Sequence, residues 1–308
     1  MADIIVSEFM DEAALEAARL EYDVLYAPDL VDKPEALLAE IASAKGLIVR
    51  NRTQVRGALL EAATGLKVVG RLGVGLDNID IAACEARGIA VRPATGANDL
   101  SVAEYVITSA LVLLRGAYHS AAAVAGGQWP RGRLMGREIS GKILGLVGYG
   151  AIARETAMRA EALGMQIIGF DPFLEEGAPQ WGRTAKVTLE TLLQSADVVS
   201  LHVPLTAETR NLIDDKALQS MKSDAILINA ARGGVVDEAA LAALLRQGHL
   251  GGAALDVFHT EPVNAQDGAK FADIPNLILT PHIAGVTAES NIRVSQVTVA
   301  NVLSVLQS

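Results

Sequence analysis

The chain has 308 residues, of which 51% are hydrophobic and 4% aromatic, and it carries a formal net charge of −10. This length predicts about two domains, with a large core filled mainly by aliphatic side chains. The acidic balance argues against a general nucleic-acid-binding protein, which needs a basic face to meet phosphates.

The first half alternates short β-rich runs with helical patterns. Strands are predicted over residues 3–8, 22–27, 46–51, 67–72 and 89–93, and helices over 11–21, 34–44, 55–63 and 79–87. Strands separated by about ten helical residues need crossover connections, which produce a parallel sheet covered on both faces.

The second half repeats this alternation with more apolar strands, as expected for strands buried on both faces. They are predicted over residues 143–148, 166–171, 197–203, 225–230, 252–257 and 277–280. A long helix over 98–115, with Ser101 and Glu104 as a capping box, precedes them, and a last helix covers 287–306. We therefore expect an α/β fold with two doubly wound parallel-sheet domains.

The cysteine content and the N-terminus bear on metal chemistry and compartment. The single cysteine, Cys84, excludes an intramolecular disulfide and cysteine-rich zinc or iron–sulfur sites, so we expect no metal. The N-terminal region contains Asp3 and Glu8 and lacks the basic segment of a signal peptide. The longest apolar run, residues 105–114, is about half of a membrane span. These features predict a cytoplasmic protein that does not enter membranes.

The segment GLVGYGAIARE has the features of a dinucleotide site. Gly148 permits a tight turn after the strand, and Gly150 lets the backbone approach a pyrophosphate. N–H groups at the start of the following helix, at Ala151 and Ile152, supply partial positive charge for phosphates. Asp171, at the end of the next strand, can accept hydrogen bonds from ribose hydroxyls and would repel a 2′-phosphate. The segment therefore predicts NAD as cofactor, in preference to NADP.

Three polar side chains follow the last three predicted strands, at the sheet edge where ligands bind in such folds. They are Arg232, Glu261 and His282. An arginine can bind a carboxylate with two parallel hydrogen bonds. A histidine paired with a glutamate can accept or donate a proton near neutral pH. The set predicts hydride transfer between NAD and C2 of a 2-hydroxy acid.

Along nearly its whole length, the chain resembles the D-isomer-specific 2-hydroxyacid dehydrogenases. The matching phrases are GRLGVGLDNID, SVAEY, GLVGYGAIA, LHVPLTAETRNLI, INAARGGVVDE, ALDVFHTEP and PHIAG. The resemblance implies catalytic roles for Arg232, Glu261 and His282, and a nicotinamide-amide contact for Asp256. The other expected cofactor contacts are His202, Val203, Pro204, Ala230 and Gly285.

The resemblance also implies a domain organisation. Residues 1–97 with 284–308 would form a flavodoxin-like substrate domain, and residues 98–283 a Rossmann NAD-binding domain. Segment 119–133, which contains Trp129, resembles the dimerisation arm of the family, so we expect a homodimer. Closure about the two domain crossings would exclude water from the hydride step.

The first half is expected to select the substrate. Backbone N–H groups of Val74 and Gly75 would hold the substrate carboxylate, as the resemblance implies. In VRNRTQV, Arg50, Asn51 and Arg52 follow a predicted strand, and with Arg71 they favour a substrate with a second anionic group.

Within the family, IIVSEFMDE, VRNRTQVRGALLEAA and PATGAN most resemble the members that act on (2S)-3-sulfolactate, and phosphoglycerate dehydrogenases come next. Two alternatives stay open. One is a dehydrogenase acting on D-3-phosphoglycerate, or a reductase of hydroxypyruvate or glyoxylate. The other is a catalytically idle, NAD-sensing scaffold on the same fold.

Overall fold

Two units of parallel sheet and helix make up the computed structural model, which describes residues 2–308. The first unit comprises the chain up to Asn98 together with Val286–Ser308, and the second comprises Asp99–Gly285. The C-terminal segment thus belongs to the same unit as the N-terminal half of the chain.

The first unit contains a five-stranded sheet in the order β2-β1-β3-β4-β5, with every neighbouring pair parallel. This is the flavodoxin-like order, and the strand sequence reverses between β1 and β3. The strands are β1 Ile4–Val6, β2 Val24–Tyr26, β3 Gly46–Val49, β4 Val68–Arg71 and β5 Ala90–Pro93.

Alternation along these strands sends side chains into two separate cores. Ile5 and Leu47 enter one core, whereas Ile4 and Ile48 enter the other, which helix α12 covers with Val302. Both faces are covered, which explains why the strands are apolar at successive positions. The α-helices of this unit are α1 Glu16–Arg19, α2 Pro34–Ile41, α3 Ala58–Ala62, α4 Ile81–Ala86 and α12 Ala288–Leu306.

The second unit contains a seven-stranded parallel sheet in the order β12-β11-β10-β9-β6-β7-β8. Counted within the unit, this is the Rossmann order extended by one strand, and it reverses between β6 and β9. The strands are β6 Ile143–Val147, β7 Gln166–Phe170, β8 Ala185–Lys186, β9 Val198–Leu201, β10 Ile226–Asn229, β11 Gly252–Leu255 and β12 Leu277–Leu279.

Helices cover both faces of this sheet as well. Ile226 and Ile228 of β10 enter the core beside α5 and α7, and Leu227 enters the opposite core. The α-helices are α5 Asp99–Arg115, α6 Ala121–Ala125, α7 Ala151–Ala162, α8 Leu189–Ser195, α9 Asp215–Ser220, α10 Glu238–Arg246 and α11 Ala265–Gly268. Short 3₁₀ segments occupy Glu12–Leu15, Pro28–Asp32, Tyr118–Ser120, Pro179–Trp181 and Ala269–Phe271.

The predicted α/β fold with two doubly wound parallel sheets is confirmed, and the differences are local. The capping box at Ser101 is wrong, because α5 already begins at Asp99 and buries Ser101 within its first turn. The expected helix over 55–63 begins only at Ala58, since Val55 pairs with Ile79 in a parallel bridge. The two-residue strand β8 was not predicted.

No single helix among residues 2–308 is long and apolar enough to cross a membrane. Helix α5 and the segment Tyr118–Ala125 are together long and apolar enough for a membrane span by length and composition, but a 65° bend separates them.

Candidate active site

The glycine-rich turn between β6 and α7 has the shape that a pyrophosphate site requires. Gly148 has φ 88°, and a Cβ there would lie 2.8 Å from the carbonyl oxygen of His202. Gly150 precedes α7, and a Cβ there would meet no atom within 4 Å. Within residues 2–308 no side chain caps the start of this helix, so its first N–H groups, at Ala151 and Ile152, are available to phosphates.

Asp171 is held beside this turn by two backbone donors. Its Oδ2 accepts a hydrogen bond from the Tyr149 N–H at 2.9 Å, and its Oδ1 accepts one from the Phe173 N–H at 2.9 Å. Each carboxylate oxygen has a second lone pair, which suits it to ribose hydroxyls. Tyr149 is fixed in turn, because its ring stacks on Trp181 with ring centroids 4.6 Å apart.

The strip of His202, Val203 and Pro204 follows β9, directly across the point where the strand order reverses. The imidazole Nε2 of His202 lies 3.0 Å from the Ser200 hydroxyl, and burial lowers the pKa of His202 to about 4. The ring is therefore neutral near pH 7. A neutral strip, an open helix start and an acceptor for ribose hydroxyls together fit NAD. Ala230, the remaining predicted residue here, follows β10.

The three predicted catalytic residues follow the neighbouring strands β10, β11 and β12 at one edge of the sheet. Two of them are in contact: the Nδ1 of His282 lies 2.7 Å from the Oε2 of Glu261. The side chains of His282 and Glu261 are 36% and 31% exposed, so both are reachable from solvent.

The environment of Glu261 favours its ionised form. Burial by itself raises the pKa of Glu261, but hydrogen bonds from His282 and from the Phe258 N–H outweigh it, with help from the charges of His282 and Arg232. The pKa of Glu261 therefore lies below its ordinary value. An ionised carboxylate at Nδ1 favours a proton on that nitrogen, which leaves Nε2 of His282 as the ring nitrogen for proton exchange with a ligand.

The turn that carries Arg232 is shaped by residues that the sequence analysis did not single out. Buried Asn229 accepts a hydrogen bond from the Ala231 N–H at 3.1 Å and donates one to the Arg232 carbonyl at 2.9 Å. At Gly233 a Cβ would overlap the carbonyl oxygen of Phe258, so only glycine lets this turn pass the loop that leads to Glu261. The glycine pair after Arg232 was the available sequence clue.

Glu238 fixes the same loop from the other side. Its side chain is 7% exposed, and its Oε1 accepts a hydrogen bond from the His259 N–H at 2.6 Å. Its Oε2 forms an ion pair with Lys270 at 2.6 Å. Asp256 directly follows β11, and Gly285 lies in the loop after β12. The Asp256 carboxylate links the two loops, because it accepts hydrogen bonds from the Ile283 and Ala284 N–H groups, both at 2.8 Å.

In the first unit, a buried carboxylate organises the predicted substrate segment. Glu8 follows β1, is 4% exposed, and accepts hydrogen bonds from four successive backbone N–H groups. Its Oε1 accepts from Arg50 and Thr53, both at 2.9 Å, and its Oε2 accepts from Asn51 at 3.3 Å and Arg52 at 3.1 Å. In the sequence, Glu8 stands out only by its charge.

The arginines of this unit differ in their surroundings. Arg50 donates to two uncharged acceptors, the Phe9 carbonyl at 3.1 Å and the Asn291 amide oxygen at 3.2 Å. Arg52 instead forms an ion pair with Asp32, and both side chains are more than half exposed. The charge of Arg52 is therefore balanced by a neighbouring carboxylate.

Arg71 ends β4, the strand next to β3, and its guanidinium lies over Gly73. A Cβ at Gly73 would displace its Nη1, and the φ of 134° at this position favours glycine. Val74 and Gly75 come next, with Val74 37% exposed. The loop after β4 thus combines a cation with an exposed backbone segment.

A Rossmann-order sheet with a dinucleotide turn, and a histidine–glutamate pair beside an arginine turn, define a nucleotide-dependent dehydrogenase. The family model described as "D-isomer specific 2-hydroxyacid dehydrogenase, NAD binding domain" matches residues 107–284. The chain belongs to this family, and the prediction of an NAD-dependent 2-hydroxyacid dehydrogenase is confirmed.

Individual relatives agree with this assignment. The chain is 54% identical to the (S)-sulfolactate dehydrogenase of Chromohalobacter salexigens, over 98% of this chain and 97% of that one. It is 38% identical to the D-3-phosphoglycerate dehydrogenase of Archaeoglobus fulgidus over 98% of its residues, and spans 56% of that relative. The chain is also similar to the crystal structure of Aquifex aeolicus D-lactate dehydrogenase with NAD and lactic acid, at a TM-score of 0.87 and 29% identity. The match covers 99% of this chain and 95% of that one.

Proposed function

We propose that the protein interconverts (2S)-3-sulfolactate and 3-sulfopyruvate with NAD. The observation that carries this proposal is the 54% identity, over nearly the full length of both chains, to a sulfolactate dehydrogenase. The configuration of (2S)-3-sulfolactate agrees with the D-isomer specificity of the family. The sulfonate-bearing carbon outranks the carboxylate in naming, so the S label describes the same spatial arrangement as D-lactate.

The proton transfer that accompanies hydride transfer is assigned to His282. When bound, the cofactor would accept the hydride at its nicotinamide ring as NAD and would supply it from the same ring as NADH. In the reducing direction, protonated His282 donates from Nε2 to the oxygen on C2 of the substrate. In the oxidising direction, neutral His282 removes the hydroxyl proton at the same nitrogen. Glu261, 2.7 Å from Nδ1, stabilises the protonated ring and fixes its orientation.

In the second unit, the C1 carboxylate is assigned to Arg232. The N–H groups of Val74 and Gly75 in the first unit stay a prediction of the sequence. Arg232 is partly buried and its backbone turn is constrained by Gly233, so its side chain starts from a defined position. A guanidinium binds a carboxylate with two parallel hydrogen bonds, which sets the orientation of C2 as well as affinity.

The sulfonate is assigned to the cationic edge of the first unit. Arg50 and Arg71 follow the neighbouring parallel strands β3 and β4, so they lie at the same edge of the sheet. The Arg50 guanidinium donates to two uncharged acceptors, the Phe9 carbonyl and the Asn291 amide oxygen, whereas the Arg52 guanidinium is paired with Asp32. We therefore assign the larger share of sulfonate binding to Arg50, and a smaller one to Arg52 and Asn51.

A comparison of substrates tests this assignment. We expect Arg50→Met to lower kcat/KM for sulfopyruvate by about tenfold to a hundredfold, the equivalent of a charge-assisted hydrogen bond of about 1.5–3 kcal/mol. Pyruvate, which has no second anion, is expected to change little. Arg19→Met is the control, because Arg19 forms a surface ion pair with Glu12 in the same unit. Equal loss on both substrates, or wild-type activity on pyruvate as high as on sulfopyruvate, would contradict the sulfonate site.

D-3-phosphoglycerate is the second candidate substrate. It is favoured by the 38% identity to a phosphoglycerate dehydrogenase and by the same cationic edge, which would equally suit a phosphate. A panel of sulfopyruvate, phosphohydroxypyruvate, hydroxypyruvate and pyruvate with NADH separates the candidates by their kcat/KM values. The highest value for phosphohydroxypyruvate would replace the proposed substrate and keep the reaction.

We also propose a cytoplasmic homodimer joined through segment 119–133. Apolar side chains in and beside this segment are exposed, as Trp129 is to 76% and Met135 to 85%. Exposed apolar patches commonly mark association surfaces, and we expect these side chains to contribute to one. Sedimentation of the wild type and of Trp129→Glu tests the dimer. A monomeric wild type would contradict it.

A further inference from the structure

The backbone of His282 is held in an uncommon conformation by Asp256 and Thr280. His282 has φ 56°, in the left-handed region that non-glycine residues rarely occupy. The His282 N–H donates to the Thr280 carbonyl at 3.0 Å and to the Asp256 carbonyl at 2.8 Å. The Asp256 carboxylate accepts from the next two N–H groups, those of Ile283 and Ala284. Asp256, which is 1% exposed, thus accepts hydrogen bonds from three successive N–H groups, those of residues 282–284, which form the histidine loop.

Asp256 is itself held by a short chain of hydroxyl groups. Thr280 donates from Oγ1 to Asp256 Oδ1 at 2.6 Å, and the Tyr105 hydroxyl lies 2.7 Å from the same Oγ1. The single hydrogen of the Thr280 hydroxyl is used toward the carboxylate, so Tyr105 must be the donor in the second bond. Burial, together with the charge of Asp256, raises the pKa of Tyr105, which keeps this donor protonated.

We propose that Tyr105, on α5, is a positioning residue for proton transfer, acting on His282 through Thr280 and Asp256. The inference rests on the proposed role of His282. The Tyr105 hydroxyl orients that of Thr280, the Thr280 hydroxyl orients the Asp256 carboxylate, and the carboxylate holds the histidine loop. Hydrogen bonds in such a chain strengthen one another.

The contact that a shift of this loop would change is the one between Nδ1 of His282 and Oε2 of Glu261, which are 2.7 Å apart. The charged groups around the ring within its unit are Glu261 at Nδ1, Asp256 beneath its backbone, and Arg232, whose charge acts on Glu261. If the loop shifts, His282 moves away from Glu261 and loses the carboxylate that stabilises its protonated form. Reduction, which needs the protonated ring, should then decline at a lower pH.

Tyr105→Phe removes only the hydroxyl, and Tyr118→Phe is the control because Tyr118 is 68% exposed. We expect Tyr105→Phe to lower kcat about three- to tenfold, as for loss of one neutral hydrogen bond. The KM for NADH should stay within about twofold, and the alkaline decline of reductive kcat should move to lower pH. A loss of thermal stability with an unmoved pH profile would reduce Tyr105 to a structural role and overturn the proposal.

Thr280 provides a second, independent test. Thr280→Val, which has the same shape without the hydroxyl, should reproduce the change in kcat and pH profile, and Thr280→Ser should restore both toward wild type. The double variant Tyr105→Phe/Thr280→Val should lose no more than Thr280→Val alone, because both act through one chain. Additive losses would overturn the proposal. His282→Gln separates the two hypotheses: if it retains activity, the proposed role of His282 fails, whatever Tyr105 does.

Discussion

Replacing Glu8 by glutamine should weaken both the first unit and its binding of a doubly anionic substrate. The carboxylate of Glu8 accepts the backbone N–H groups of residues 50–53, the segment that carries Arg50. Glutamine has the same shape but one oxygen only. Its amide nitrogen must therefore face two N–H groups that it cannot bond, and the segment is expected to shift.

The size of the expected loss in stability depends on which two of the four hydrogen bonds are lost. Arg50 and Thr53 bond Oε1 and are the less exposed pair, so the glutamine oxygen should stay with them. The N–H groups of Asn51 and Arg52 then lose a charged acceptor, nominally about 1.5–3 kcal/mol each. Both residues are exposed, and water can replace part of the loss. The two bonds together correspond to about 3–6 kcal/mol, and with partial replacement by water we expect a net loss of about 2–3 kcal/mol.

Two measurements check this expectation. Urea unfolding followed by circular dichroism should show the loss, and Glu12→Gln, which disturbs only a surface ion pair with Arg19, should change stability by less than about 1 kcal/mol. In steady-state kinetics, the KM for sulfopyruvate should rise more than that for pyruvate, because the loss of the Asn51 and Arg52 hydrogen bonds shifts the segment that carries the predicted sulfonate-binding side chains. If Glu8→Gln matches wild type in both stability and KM, the four hydrogen bonds do not organise the segment.

Three further predictions concern the second unit. Asp171→Ala should narrow the preference for NAD over NADP in kcat/KM, since the carboxylate no longer repels a 2′-phosphate; a wild type that prefers NADP would refute this. Glu261→Gln should move the alkaline decline of reductive activity to lower pH, because the ionised carboxylate that stabilises protonated His282 is gone, and an unchanged profile would count against the pair. Gly233→Ala should lower kcat on the order of a hundredfold, because its Cβ would overlap a backbone carbonyl and displace the arginine turn. Gly268→Ala, whose Cβ would lie 3.5 Å from Val263 Cγ1 in an ordinary van der Waals contact, should be neutral, and equal behaviour of the two glycine variants would contradict the expected overlap.

The sequence by itself determined the two parallel sheets and the chemistry at their edges. Strands buried on both faces, such as Ile226–Asn229, are apolar at successive positions, and the helices between them force parallel crossovers. Strand ends could be located from the same pattern, which is why Arg232, Glu261 and His282 could be assigned to one edge. The glycine turn was equally visible, since positive φ at Gly148 leaves few other residue types.

Only the tertiary structure decided how those side chains are held. Glu8 and Asp256 occur in the sequence as isolated acids, and nothing local indicates that each accepts several backbone N–H groups. Likewise Tyr105 and Thr280 are 175 positions apart, and packing alone brings their hydroxyls together. Hydrophobic periodicity is a local property that repeats along the chain, whereas these hydrogen bonds depend on distant segments meeting in one geometry. The sequence therefore predicted the strand ends, and the folded chain determined which groups fix the catalytic loops there.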